Sequence, residues 1–162
     1  MVTEPCYDLG RDGLVSGSEP HAEAWIGLLE THRSVTRELD VTLRAEHGLT
    51  MSALEALTCL GAAKGRSLRL SALATRCGLS LSRISRLTGS LEARGLVERR
   101  SADSDRRAVQ VHLNDAGLEL ARRAQATHFA SVHRLFFERL SDGDAALLAD
   151  VFSRFASTRE IA

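Results

Sequence analysis

LRLSALATRCGLSLSRISRLTGSLEARGLVERRSADSDRRAVQVHLNDAG, residues 68–117, decides the fold. Within it, Ser71 caps a short apolar-periodic segment, 72–77, which Gly78 stops, and a second segment runs from the 78–81 connection to about Arg94 and closes at Gly95. The second segment turns Ile84, Leu87 and Leu91 to one side and keeps a polar outer face. Two helices joined by a tight glycine-containing turn, the second polar outside, form the helix-turn-helix pattern. Segments 96–100 and 108–113 follow, with Val97 and the alternation Val109, Val111, Leu113 around the polar connection SADSDRR. This predicts a β-hairpin with a basic tip.

Upstream, Thr50 or Ser52 can cap a helix with Met51, Leu54, Leu57 and Leu60 inward, reaching about Lys64 before the stop at Gly65. Further back, Trp25, Leu28, Leu29, His32, Val35, Leu39 and Leu43 recur at steps of three and four and end near Gly48. A helix over 20–46 is roughly 40 Å long at 1.5 Å per residue. That exceeds what a small helical domain can cover, so part of it is expected to meet a second chain. Downstream, Asn114 caps a fifth helix reaching Leu140, and Ser141 caps a sixth with Leu147, Leu148, Val151, Phe152 and Phe155 on one side. The expected fold is mainly α, a winged helix-turn-helix with a short β-hairpin wing, flanked by N- and C-terminal dimerisation helices. Its parts are a flexible arm at 1–19, a dimerisation helix at 20–48, a DNA-binding domain at 49–114 and dimerisation helices at 115–162.

The composition narrows the function classes. The chain has 162 residues, 44% hydrophobic and 26% charged, without an apolar run approaching the roughly 20 residues of a membrane span. An acidic, mixed N-terminus lacks the basic start and apolar stretch of a secretory signal, which points to a cytoplasmic protein. Cys6, Cys59 and Cys77 are odd in number and spaced for neither a disulfide framework nor a paired-cysteine zinc site. Glycine-rich phosphate loop, nucleophile elbow and HExxH are all missing, so no enzyme and no cofactor is expected. The formal net charge of zero conceals a strong asymmetry. Residues 64–112 hold eleven basic residues (Lys64, Arg66, Arg69, Arg76, Arg83, Arg86, Arg94, Arg99, Arg100, Arg106, Arg107) against Glu92, Glu98, Asp103 and Asp105, an excess of seven positive charges that the remainder balances. A basic module in an acidic scaffold is the footprint of nucleic-acid binding.

HGLT (47–50), LRLSALATRCGLS (68–80), SRISRLTGSLEARGLVERR (82–100) and DSDRRAVQVHLNDAG (103–117) resemble the multiple-antibiotic-resistance regulator (MarR) family of bacterial transcription factors. With the flanking helices the resemblance covers about residues 20–157, and the wing's acid, acid, Arg, Arg spacing is its most specific part. The resemblance implies a twofold dimer with interleaved termini that binds a double-stranded inverted repeat.

In that arrangement the N-terminal half of the recognition helix, with Ser80, Ser82, Arg83, Ser85 and Arg86, presents donors to base edges and phosphates. By the family's pattern Arg107 is the wing arginine that enters the minor groove, Asp105 orients it, and Arg106 is assigned to phosphate. One departure stands out: Gly89 and Ser90 occupy the place of a frequent Asp-Arg pair, so the usual salt bridge from helix to wing is lost and a looser wing is expected.

The resemblance also implies a small aromatic or anionic effector. Trp25 and His32 on the first helix and His128 on the fifth are the expected ligand-binding residues, suited to a flat, weakly acidic molecule. Two variants of the same fold compete. Zinc sensing could draw on Glu46, His47, His128 and His133, though His128 and His133 are five apart and face different ways, and no metal site is expected. Thiol sensing lacks a cysteine on the first helix. An architectural DNA-binding protein without effector is the rival of a different class.

Overall fold

A computed structural model describes residues 8–9, 15–16, 20–102 and 105–156; for 8–9, 15–16, 101–102, 105–108 and 156 it describes the backbone alone. The chain divides into two compact units, Met1–Glu38 and Leu39–Ala162. In the first, β1 (Asp8–Leu9) pairs antiparallel with β2 (Val15–Ser16), a short ladder inside the segment expected to be an arm. Helix α1 (Pro20–His47) begins in this unit and runs on into the second.

The second unit is the winged domain with its C-terminal helices. Gly48, at φ 63, ends α1, and Thr50 caps α2 (Met51–Gly61) by accepting the Ala53 N–H at 3.1 Å. The helix stops at Gly61, short of the expected Lys64, because Ala63 is already extended and Lys64–Arg66 form a 3-10 turn. That turn leads into β3 (Ser67–Arg69), a strand that sequence reading missed. Helix α3 (Leu70–Arg76) starts directly from the strand, with the extended Arg69 as its N-cap, so Ser71 lies inside the helix instead of capping it. After Gly78 (φ 60), Ser80 caps α4 (Leu81–Ala93).

Strands β4 (Val97–Ala102) and β5 (Asp105–Leu113) form the hairpin, and β3 adds to its other edge to give the order β3-β5-β4. Val97 faces Leu113 and Arg99 faces Val111, with a register shift at Ser101/Ala102. Helix α5 (Asp115–Leu135) ends five residues before the expected Leu140, because Phe136 leaves helical backbone angles and Phe137–Arg139 make a 3-10 turn. Ser141 then starts α6 (Asp142–Ala156) as a reciprocal cap: its N–H and hydroxyl donate to the Asp144 carboxylate, and its Oγ accepts the Asp144 N–H. Those bonds hold the Asp144 carboxyl below its ordinary pKa. Among the described residues no helix is long and apolar enough to cross a membrane.

One apolar core is shared by α4 and its neighbours. Leu57 and Leu60 of α2, Leu73 of α3, Ile84 and Leu91 of α4, Val97, Val111 and Leu113 of the hairpin, and Ala121 and Ala124 of α5 are all buried in it. Burying such aliphatic side chains stabilises by about 1.5 to 3 kcal/mol each.

Two glycines fix how the elements meet. A Cβ on Gly117, in the first turn of α5, would stand 2.1 Å from the Leu96 carbonyl oxygen and 2.6 Å from Leu113 Cδ1, so the helix begins directly on the hairpin backbone. Gly89 does the opposite service in α4. A Cβ there would fit in ordinary contact with the Arg99 side chain of β4, 3.5 Å from its Nη1. Arg99 Nη2 donates to Ser85 Oγ at 3.4 Å, and the Arg99 N–H donates to the Glu92 carboxylate at 2.9 Å. The base of the hairpin is thus tied to α4 by hydrogen bonds from Arg99. One atom is left over: Arg99 Nε is buried without a hydrogen-bond partner.

These positions respond to substitution in opposite directions. Gly117→Ala is expected to destabilise by about 1 to 3 kcal/mol through overpacking against backbone. Gly89→Ala is expected to stabilise by up to about 1 kcal/mol, since only helix propensity changes. Gly89→Asp sets a carboxylate beside Arg99, and its stabilisation, unlike that of the alanine variant, should fade as salt is raised. Denaturant titrations at low and high ionic strength check all three; an unperturbed Gly117→Ala would show that α5 does not rest on Leu96.

Candidate nucleic-acid interface

The sequence Ser80-Leu81-Ser82-Arg83 makes the N-terminal end of α4. Ser80 Oγ accepts the Arg83 N–H at 3.4 Å and lies 3.2 Å from Ser82 Oγ. Ile84, Thr88 and Leu91 are fully or nearly fully buried, which turns Ser82, Arg83 and Arg86 to solvent. Thr88 tolerates burial because its hydroxyl donates to the Ser85 carbonyl at 3.1 Å. Ser80, Ser82, Arg83 and Arg86 therefore share the open end and face of α4. Ser85 is half-buried and engaged by Arg99, so it stands apart from those four. The side chains of Asp105, Arg106 and Arg107 lie outside the described residues, as do Asp103 and Ser104.

The regional excess of positive charge separates into two groups. Arg66 pairs with Asp115 at 2.6 Å, Arg94 bonds the carbonyls of His47 and Gly48, Arg99 bonds Ser85, and Arg100 pairs with Glu98. Lys64, Arg69, Arg76, Arg83 and Arg86 are exposed, and their charged ends have no partner among the described residues. An exposed guanidinium with no internal acceptor keeps its donors for an external anion, and phosphate oxygens suit its planar fork. Lys64, Arg69 and Arg76 were not singled out from sequence as site residues. Their signal was present in the regional charge, but only the fold shows which cations stay free.

Trp25 and His32 lie exposed on the part of α1 within the first unit. His128 is half-buried on α5 in the second, its ring 5.5 Å from that of Phe129. Burial lowers the His128 pKa, favouring the neutral imidazole, and its Nδ1 is buried without a hydrogen-bond partner. His47 Nε2 lies 2.8 Å from Thr127 Oγ1, which donates to Glu46 at 3.1 Å, while His133 lies 3.7 Å from Glu138. Among the described residues no three His, Cys, Asp or Glu side chains gather as a metal-binding set. Cys77 is buried at the end of α3, and burial, the neighbouring Cys59 thiol and the Glu55 charge push its pKa up to about 12. Such a thiol stays protonated and unreactive near neutral pH. Cys6 lies outside the described residues.

Comparison with known proteins agrees with this architecture. Residues 47–108 match the model of the MarR family. AbsC, a MarR family transcriptional regulator from Streptomyces coelicolor, is 33% identical over 90% of this chain and 97% of its own, with a TM-score of 0.78. Sco3205, a MarR family regulator from the same organism solved in complex with DNA, is 26% identical over 88% and 92% of the two chains, with a TM-score of 0.77. The transcriptional repressor MprA of Escherichia coli is 30% identical over 89 residues, 55% of this chain, and the match spans about half of MprA's length, 51%. With one-third identity to AbsC carried over nearly the whole of both chains, this chain belongs to the MarR family of transcriptional regulators.

Proposed function

We propose that the chain acts as a homodimeric, sequence-specific DNA-binding repressor in the cytoplasm, released from an inverted-repeat operator by a small phenolic or carboxylate effector. The observation that carries the DNA-binding reading is the set of five exposed, unpartnered cations around α3 and α4, in a chain whose net charge is zero. In this reading Ser80, Ser82, Arg83 and Arg86 face the major groove, Ser85 is held back by Arg99, and Asp105, Arg106 and Arg107 serve the wing. Arg83 and Arg86 read base edges, while Lys64, Arg69 and Arg76 hold phosphates. The DNA-bound form of Sco3205 supports the DNA-binding reading, and the repressor role of MprA supports repression.

Residues 49–114 form the DNA-binding part, and 20–48 with 115–162 the dimerisation part. Large apolar side chains left exposed on these helices support the division: Trp25, Ile26 and Leu28 on α1, and Phe129, Leu147 and Phe155 on α5 and α6. Exposed large apolar side chains on helices suit a protein partner, and a second copy supplies the twofold symmetry an inverted repeat requires. Trp25, His32 and His128 are the ligand-binding residues of the proposal. The unpartnered Nδ1 of His128 supports it, because a phenol or acid hydroxyl supplies the missing bond.

Arg83→Ala and Arg86→Ala are each expected to cost about 1 to 3 kcal/mol of operator affinity and to relax base preference at one position per half-site, whereas Arg76→Ala should weaken all duplexes alike and lower the salt slope by about one. Binding titrations against selected and scrambled duplexes separate these outcomes; three silent variants would misplace the DNA face. For the effector, Trp25 is the only tryptophan and reports occupancy by fluorescence. Titration with salicylate and other aromatic acids should quench it and lower operator affinity by about 1 to 3 kcal/mol. Quenching that leaves DNA affinity unchanged rejects the regulatory role.

A further inference from the structure

The residue that ends the recognition helix is tied to the residues that end α1. Arg94 is the C-cap of α4, and its guanidinium forks onto two backbone carbonyls: Nη1 donates to Gly48 at 2.7 Å and Nη2 to His47 at 3.2 Å. Carbonyls at a helix C-terminus lack intrahelical donors and carry the negative end of the macrodipole, so a planar cation with two parallel N–H groups meets both needs at once.

The corner beneath the guanidinium is rigid. The Gly48 N–H returns to the Arg44 carbonyl at 3.0 Å and the Leu49 N–H to the Leu43 carbonyl at 3.2 Å. Asp40 accepts the Met51 N–H at 2.9 Å and the Arg44 Nε–H at 2.7 Å. Burial raises the Asp40 pKa, but those two donors outweigh it and hold the carboxyl below its ordinary value. A Cβ on Gly48 would lie 3.4 Å from Arg94 Nη2, so the guanidinium rests directly on the turn.

We infer that Arg94 is a positioning residue for DNA recognition: by fastening the C-terminal end of α4 to the end of α1, it fixes the angle at which Arg83 and Arg86 are presented. This rests on the DNA-binding reading above. The lever is long enough to matter. Thirteen residues of α4 span roughly 20 Å, so a pivot of about 10° at Arg94 moves the N-terminal end by about 3 Å. A base-edge hydrogen bond does not survive such a shift, since donor and acceptor must stay within about 3.2 Å. Phosphate contacts through long, rotatable side chains do. Loss of the tie therefore removes sequence preference while sparing general affinity for DNA.

The test uses the full-length protein, a duplex that the wild type selects from a random-sequence pool, and an unselected duplex of equal length. Arg94→Ala is expected to weaken binding to the selected duplex by about 5- to 100-fold, the range of a lost base contact. Binding to the unselected duplex should change by less than about twofold, and the salt slope should be that of the wild type, because no phosphate contact is removed. Arg94→Lys, which offers a point charge to one carbonyl instead of a fork to two, should fall between; if Arg94→Ala does not fold, the lysine variant carries the comparison alone. Equal weakening on both duplexes with the salt slope reduced by about one would overturn the inference and make Arg94 a phosphate ligand. Unchanged binding to both would overturn it as well. If the wild type selects no duplex at all, the sequence-specific reading falls and the inference with it.

Discussion

Everything in the winged unit depends on α5 starting in direct contact with the hairpin backbone. Gly117 sits where any side chain would collide with the Leu96 carbonyl, and Asn114 bridges the same joint. Its Oδ1 accepts the Gly117 N–H at 2.8 Å and its Nδ2 donates to the Gly95 carbonyl at 2.7 Å. The joint brings Ala121 and Ala124 of α5 down onto the core that α2, α3, α4 and the sheet share. Small side chains on the inner face of α5 allow close packing against α2, where Gln125 also donates to Thr58 at 3.1 Å. Hairpin, α4 and α5 consequently share one core.

Around that core arginine does two kinds of work, and the difference lies in what each guanidinium touches. Arg66, Arg94, Arg99 and Arg100 are held by internal acceptors, and of these the exposed pairs of Arg66 and Arg100 contribute little to stability. Removing an acceptor from a partly buried cation costs more than the bond itself contributes. The buried Nε of Arg99 shows how little slack remains there. Lys64, Arg69, Arg76, Arg83 and Arg86 are ordinary solvated cations, whose attraction for a polyanion falls with salt.

Much of this was legible in the sequence because the signals are local. Asn114 and Ser141 cap helices by accepting an N–H three residues on, as their positions before apolar runs implied, and Thr50 does so as one of two candidates, whereas Ser80 caps α4 from within what read as a connection. Gly48 and Gly95 end helices with positive φ where a stop was expected. The period of α4 placed Ile84 and Leu91 inside and Arg83 and Arg86 outside. What was not legible is non-local. Strand β3 is three residues long and exists because β5 offers an edge to Leu68, so no alternation could announce it. Once β3 ends at Arg69, the start of α3 moves ahead of Ser71. The contacts of Arg94 with His47 and Gly48 cross more than forty residues of sequence, and nothing in the composition separates that arginine from its free neighbours.

The same packing limits how an effector could act. Melting α4 to disable DNA binding would expose Ile84 and Leu91, at about 1.5 to 3 kcal/mol each before the bonds from Arg94 and Arg99 are counted. That is at or above the whole of a typical allosteric coupling, about 1 to 3 kcal/mol. A ligand can shift the equilibrium only by its differential affinity for two states, so the inactive state must keep the core intact. For the homodimer proposed above, the economical change would be a rigid displacement of one winged unit relative to that of the second copy. Such a displacement alters the distance between two recognition helices without altering either of them.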